Sequence, residues 1–388
     1  MKNRMCPTPF EQLKLSHLPG LTREWIEHGF KRDYEPWETR EGPTSREKSP
    51  NGFRVNVTSL VQVLVFKALF SCICDGSEVN HGFPPSKLVE LARCINRTWI
   101  NSKEDIVKYK DNHELQALLR EAFPCHGQGT YNMLNILIPS FETMWRVVLR
   151  GFLQVRFSVS AGRQWCSVLA GFAKSRTQGQ FELHPGSKFV SADEGIKFLP
   201  KDFTWTSPSA EEVVKEVLRL YPPTRRIFRA YHWVEDSQSS NVRNRGTEKL
   251  PLNIEQRAGD YHREGRIREE VIAADVEACH LDPGIWGIDA ETFDPFRWRQ
   301  VTDEQSEAFM PFGGRPFWCP AQKVFGPRMI GFLMGTLITA LDDICPEAQM
   351  TWSIDCANQD LVRRLNLNAR LDMGRDAFDD LELLGSWE

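Results

Sequence analysis

The sequence predicts a mainly α protein with minor β, and three observations carry that prediction. Apolar residues recur every three or four positions through most of Val57 to Val155 and again from Ser209 to Leu220. Between Pro222 and Phe317 this spacing gives way to proline, glycine and tryptophan punctuation with short β-like runs. A last apolar helix is expected from Pro320 to about Leu341. With 388 residues, 41% hydrophobic and 11% aromatic, the chain is able to bury a large core. The organisation expected is a poorly specified N-terminal segment, 1–56, followed by a single domain over 57–388.

Taken in order, the opening to about Pro50 is polar and rich in turn signals. Three helices are then expected, marked by Leu60 and Leu64, by Leu88 and Leu91, and by Leu115 and Leu118. A long helix follows from Tyr131 to Val155, carrying Leu134, Ile138, Phe141, Trp145 and Val148, with Pro139 inside it. Proline has no N–H to offer the Asn135 carbonyl, so the helix should open there. The next helix starts at the Ser-Pro-Ser signal before Ala210 and stops at Tyr221-Pro222-Pro223. Arg268 to Ala274 reads as a strand, and the tail beyond Leu341 as short strands.

Charge and cysteine usage exclude several function classes. The 48 basic and 52 acidic residues nearly cancel, giving a formal charge of −4 and no electrostatic reason to expect nucleic acid. Ten cysteines in so long a chain lack the dense spacing of a secreted disulfide scaffold, which points to a reducing compartment. Neither a HExxH metal motif nor a Gly-x-Gly-x-x-Gly dinucleotide fingerprint occurs. The apolar run from Leu60 to Ile73 is too short to span a bilayer and is interrupted by Gln62 and Lys67.

The chemistry concentrates on one cysteine. In Phe312-Gly-Gly-Arg-Pro-Phe-Trp-Cys319-Pro320-Ala321 a glycine-bearing loop delivers Cys319 to the expected first turn of an apolar helix. As N-cap before Pro320, Cys319 would sit where backbone N–H groups favour a thiolate. The bland alternative is a buried structural cysteine. Glu216 and Arg219 lie at i and i+3 on one helix among Val213, Val214, Val217 and Leu218, close enough to pair. Phe293-Asp-Pro-Phe-Arg297-Trp298 sets an arginine between aromatics ahead of the cysteine loop.

Together, Glu-x-x-Arg, Phe-x-Pro-x-Arg-Trp and the Phe312-to-Cys319 loop resemble the C-terminal half of the cytochrome P-450 superfamily, over roughly Tyr131 to Leu341. The resemblance implies a haem-dependent monooxygenase that inserts one atom of O2 into an apolar organic substrate, with iron protoporphyrin IX as cofactor. Cys319 would be the axial iron ligand, and Glu216, Arg219 and Arg297 a structural triad. Phe312 would line the haem, and Arg315 and Arg229 would meet its propionates. Pro139-Ser140-Phe141-Glu142-Thr143 is similar to the family's oxygen-binding motif, which makes Glu142 and Thr143 a proton relay. Electrons would come from an NADPH-dependent flavoprotein reductase. The style of the motifs is similar to fungal members acting in secondary metabolism, on the cytoplasmic side of the endoplasmic reticulum.

This sequence departs from the family pattern at Arg315, Phe317 and Ala321 around the cysteine. Its oxygen-binding motif lies near residue 143, whereas family members carry it past the middle of a longer chain. The expectation is therefore a cytochrome P-450 fold lacking its N-terminal anchor, first sheet and early helices. Without an anchor the chain would be cytoplasmic. Two rivals follow: a truncated remnant that does not retain haem, and a haem-thiolate isomerase or dehydratase, against which Glu142-Thr143 argues.

Overall fold

The computed structural model describes residues 13, 15–28, 52–73, 82–101, 111–127, 132–158, 162–178, 207–235, 266–314, 318–344, 350–354, 359–374, 376–379 and 381–387. The described chain is mainly helical with small antiparallel sheets.

A helix α1 (Leu18–His28) precedes strand β1 (Gly52–Asn56), which runs straight into α2 (Val57–Ile73). Helix α2 is buried almost all round, from Val57 to Phe66 without a break, so its apolar run is a core helix. Burial holds the Lys67 ammonium below its ordinary value. Then come α3 (Pro85–Asn101) and α4 (His113–Ala122), the latter capped by Asn112, whose side chain accepts from the Leu115 N–H at 3.0 Å.

Helix α5 (Leu134–Leu137) passes through a π-helical turn (Ile138–Glu142) into α6 (Thr143–Phe157). The opening expected at Pro139 takes this form: the ladder slips by one residue where the proline has no donor. Phe141 in that turn stacks on Phe66 of α2, ring centroids 3.8 Å apart. Helices α7 (Gly162–Gln178) and α8 (Ala210–Leu220) follow.

A two-stranded ribbon, β2 (Arg226–Glu235) against β3 (Arg266–Asp275), leads to α9 (Val276–Leu281), α10 (Pro283–Trp286), a 3-10 turn (Pro295–Arg299) and α11 (Asp303–Ala308). The central helix is α12 (Phe325–Asp343), buried from Met329 to Leu341 and packed against α1, α6, α7 and α8. Gly335 permits its crossing with α7, since a Cβ there would lie 2.1 Å from the Leu169 carbonyl oxygen. After α12 come β4 (Met350–Ile354), α13 (Gln359–Asn366) and β5 (Glu382–Trp387). Strand β5 is central in a sheet of order β1-β5-β4, so residues from both ends of the chain share one ladder.

Two expectations need correction. The helix expected from Pro320 begins at Phe325, and residues 320–324 form hydrogen-bonded turns. A second start signal wins: Pro327 stands in the first turn of α12, where a missing N–H costs nothing. Cys319 is therefore not the N-cap of this helix. The segment read as polar and loose also contributes to the core, with Leu18 and Ile26 of α1 fully buried.

Candidate active site

The site grows from α8. Ser209 and Glu212 cap its start reciprocally, while Pro222 and Pro223 stop it by withholding N–H groups. Its buried face carries Val213, Val214, Val217 and Leu218, and with them the fully buried side chains of Glu216 and Arg219. A buried carboxylate is tolerated only when its oxygens are satisfied. Glu216 accepts from Arg219 Nε at 2.9 Å and Nη2 at 2.8 Å, from Arg297 Nε at 3.0 Å, from Trp298 Nε1 at 3.0 Å and from the Asp294 N–H at 3.0 Å. Arg219 spends its remaining donors on the carbonyls of His280 at 2.8 Å, Ala290 at 2.6 Å and Thr292 at 3.3 Å. Burial works against the Arg297 charge, yet Glu216 beside it holds the guanidinium above its ordinary value. The structure thus brings Glu216, Arg219 and Arg297 together and pins the segment from His280 to Trp298 onto α8.

Downstream, the Gly313 N–H closes a turn on the Met310 carbonyl at 3.1 Å, and the Phe312 carbonyl accepts the Cys319 N–H at 2.9 Å. The Cys319 carbonyl in turn accepts the Gln322 N–H at 3.0 Å. The Phe312 ring lies over Gly326 at the head of α12, where a Cβ would meet it at 2.8 Å. Cys319 forms no disulfide and is half-buried, flanked by exposed Trp318 and Val324.

The other pair lies on the π turn. Thr143 Oγ donates to the Pro139 carbonyl at 2.9 Å, and Ser140 Oγ to that of Ile136 at 2.5 Å, so both hydroxyls bond back to the carbonyl four residues earlier. Glu142 is buried and ion-paired with Arg146, one turn along, whose other nitrogen reaches Asn96 of α3. No hydrogen bond or ion pair among the described residues joins Glu142 or Thr143 to Phe312 or Cys319. Arg229 is half-buried on β2, opposite Ile272 of β3. Arg315 and Phe317 lie outside the described residues.

Sequence reasoning assigned no role to three contributors. Trp298 follows Arg297 directly, and Arg146 stands four residues after Glu142, so both were within reach of spacing rules. The third, His280, has a subtler signal, a proline four residues beyond Arg219.

No family model matches the chain. It is similar to cytochrome P450 52A9 of Candida maltosa, 33% identical over 141 residues, which is 36% of this chain and 24% of that protein. It is also similar to cytochrome P450 52A12 of Debaryomyces hansenii, 27% identical over 242 residues, 59% of this chain and 42% of the relative. A third relative is the cytochrome P450 monooxygenase apdE of Emericella nidulans, 43% identical over 64 residues, 16% of this chain and 12% of that protein. The chain is similar to members of the cytochrome P450 superfamily.

The matched segments span less than half the length of these P450 relatives. Cytochrome P450s are haem proteins, and the residues around Cys319 fit that group by donor chemistry. A porphyrin supplies four iron ligands itself, so the protein needs to offer one thiolate and an apolar surface. Cys319 is a thiol with exposed apolar neighbours on either side, Trp318 and Val324. Among the described residues no cluster of three or more His, Cys, Asp or Glu forms a rival metal site. No helix of the described residues is long and apolar enough to cross a membrane.

Proposed function

We propose that the chain is a haem-thiolate monooxygenase that inserts one oxygen atom of O2 into an apolar organic substrate. The observation that carries this reading is the Glu216, Arg219 and Arg297 network on the same segment that leads into the Cys319 turn. When bound, haem supplies the iron that activates dioxygen, and a thiolate ligand donates electron density that favours O–O cleavage. Cys319 Sγ would hold the iron, Phe312 would pack beside the macrocycle, and Arg229 and Arg315 would neutralise the propionates. Thr143 Oγ, which rests on the Pro139 carbonyl, would hand a proton toward the oxygen, and Glu142 behind it would reload that hydroxyl. Arg146 keeps the Glu142 carboxylate in place between turns of α6.

Two electrons per turnover would come from NADPH through a separate flavoprotein reductase, with two protons and one O2 giving hydroxylated product and water. A fungal setting, on the cytoplasmic side of the endoplasmic reticulum, goes with the yeast and Emericella relatives. We also take α1 and β1 as part of one haem-binding domain, since both pack into the same core.

The test is turnover with a P450 reductase, NADPH and labelled dioxygen, using a panel of apolar substrates. Incorporation of one labelled atom, lost in Cys319→Ala, is the expected result. Failure of the purified chain to take up haem would favour the rival reading, a P450 remnant without cofactor.

A further inference from the structure

His280 is a fully buried histidine that the proposed chemistry does not use. It closes α9, and both its ring nitrogens are engaged: Nδ1 lies 3.0 Å from the Arg219 carbonyl oxygen, and Nε2 lies 2.9 Å from the Met310 nitrogen. The Met310 N–H is a donor, so Nε2 must accept, and the ring proton sits on Nδ1 and is given to Arg219. That carbonyl needs a partner from elsewhere, because residue 223, its helical donor by position, is proline. Arg219 answers in kind, its Nη1 donating to the His280 carbonyl at 2.8 Å. The ring also stacks on Phe309, centroids 5.5 Å apart.

Met310 is the first residue of the turn that ends at Gly313, and that turn carries the Phe312 carbonyl to which the Cys319 N–H is bound. Hydrogen bonds and the short backbone turn between them thus link the Arg219 carbonyl through the imidazole to Met310 and on to Cys319. We infer that His280 is a positioning residue: it couples the Glu216–Arg219–Arg297 network to the cysteine turn and fixes where the Cys319 thiol is presented. The inference deepens the reading of Cys319 as the haem ligand, and it rests on that reading for its purpose. Its geometry stands on this chain alone, so it is testable without haem.

Two variants separate coupling from bulk stability. His280→Phe keeps a ring of similar shape but leaves the Arg219 carbonyl and the Met310 N–H without partners, whereas His280→Gln offers one donor and one acceptor. The full chain, before haem is added, is treated with iodoacetamide and the labelling of each cysteine is followed by peptide mass spectrometry. Cys319 in His280→Phe is expected to label several-fold faster than in wild type, with buried Cys94 and Cys166 unchanged, and His280→Gln is expected to restore the wild-type rate. An unchanged Cys319 rate, or a parallel rise at all three cysteines, would overturn the coupling. Should His280→Phe not fold, nitrogen-15 NMR of wild-type histidines decides: the Nδ1–H tautomer at His280 is required, and the Nε2–H tautomer excludes the Met310 bond. A chain that shows the labelling pattern yet takes up no haem would sink the haem reading and leave the coupling intact.

Discussion

A carboxylate as deep as Glu216 is satisfied by what surrounds it: two guanidinium groups, an indole and a backbone amide all donate to it. Removing one partner from a buried ion network strands the others, which typically costs about 3–5 kcal/mol. Glu216→Gln is therefore expected to lower the unfolding free energy by about that amount in urea titrations, with circular dichroism as the probe. His280 makes a second prediction at this scale. Burial, with the Arg219 charge assisting it, pushes its imidazole down to about 4 from the ordinary histidine value. Between that value and about 6.5 the unfolded chain binds more protons, so stability falls as pH drops through this window and is flat above it. The loss should be on the order of 3 kcal/mol, and His280→Gln should remove that slope. Glu216 and Arg219 were legible because spacing and apolar neighbours lie within one helix. Trp298 and the Asp294 amide were not, since they arrive from 82 and 78 residues away.

Among the elements, the π turn at Ile138–Glu142 was readable as a break but not as a type of helix, because proline announces a lost donor without saying how the ladder rejoins. Pro139→Ala restores the N–H and is expected to raise the unfolding free energy by about 1–3 kcal/mol, read from the shift in denaturant midpoint. The crossing of α12 with α7 sets the opposite expectation. Gly335→Ala places a methyl against the Leu169 backbone, and overpacking of this kind costs about 1–3 kcal/mol by the same assay. The α1 helix escaped notice for a physical reason. Its buried stripe is narrow, Leu18, Thr22 and Ile26, and one of those three is polar, its hydroxyl tied back to the Leu18 carbonyl at 2.7 Å. The start of α12 was misplaced because two prolines compete for the role, and backbone turns claim the residues after the first.

For the whole molecule, the sheet β1-β5-β4 ties residues 52–56 to the C-terminal strand, and Arg54 pairs with Glu382 across 328 positions at 2.5 Å. Such a contact is invisible to local periodicity, which sees helices well and remote strand partners poorly. Deleting Glu382–Trp387 removes the central strand and opens two edges at once, so the shortened chain is expected to lose its cooperative thermal transition in calorimetry. The likeness to cytochrome P450s rests on comparisons that cover part of each relative, while the geometry around Glu216 comes from this chain alone. Cys319 is the proposed haem ligand. The most direct test is the carbon monoxide difference spectrum of the reduced, haem-reconstituted chain. A Soret band at the thiolate-specific position that disappears in Cys319→Ala is the expected result; bound haem with a histidine-type spectrum, or a thiolate band that survives Cys319→Ala, would contradict it.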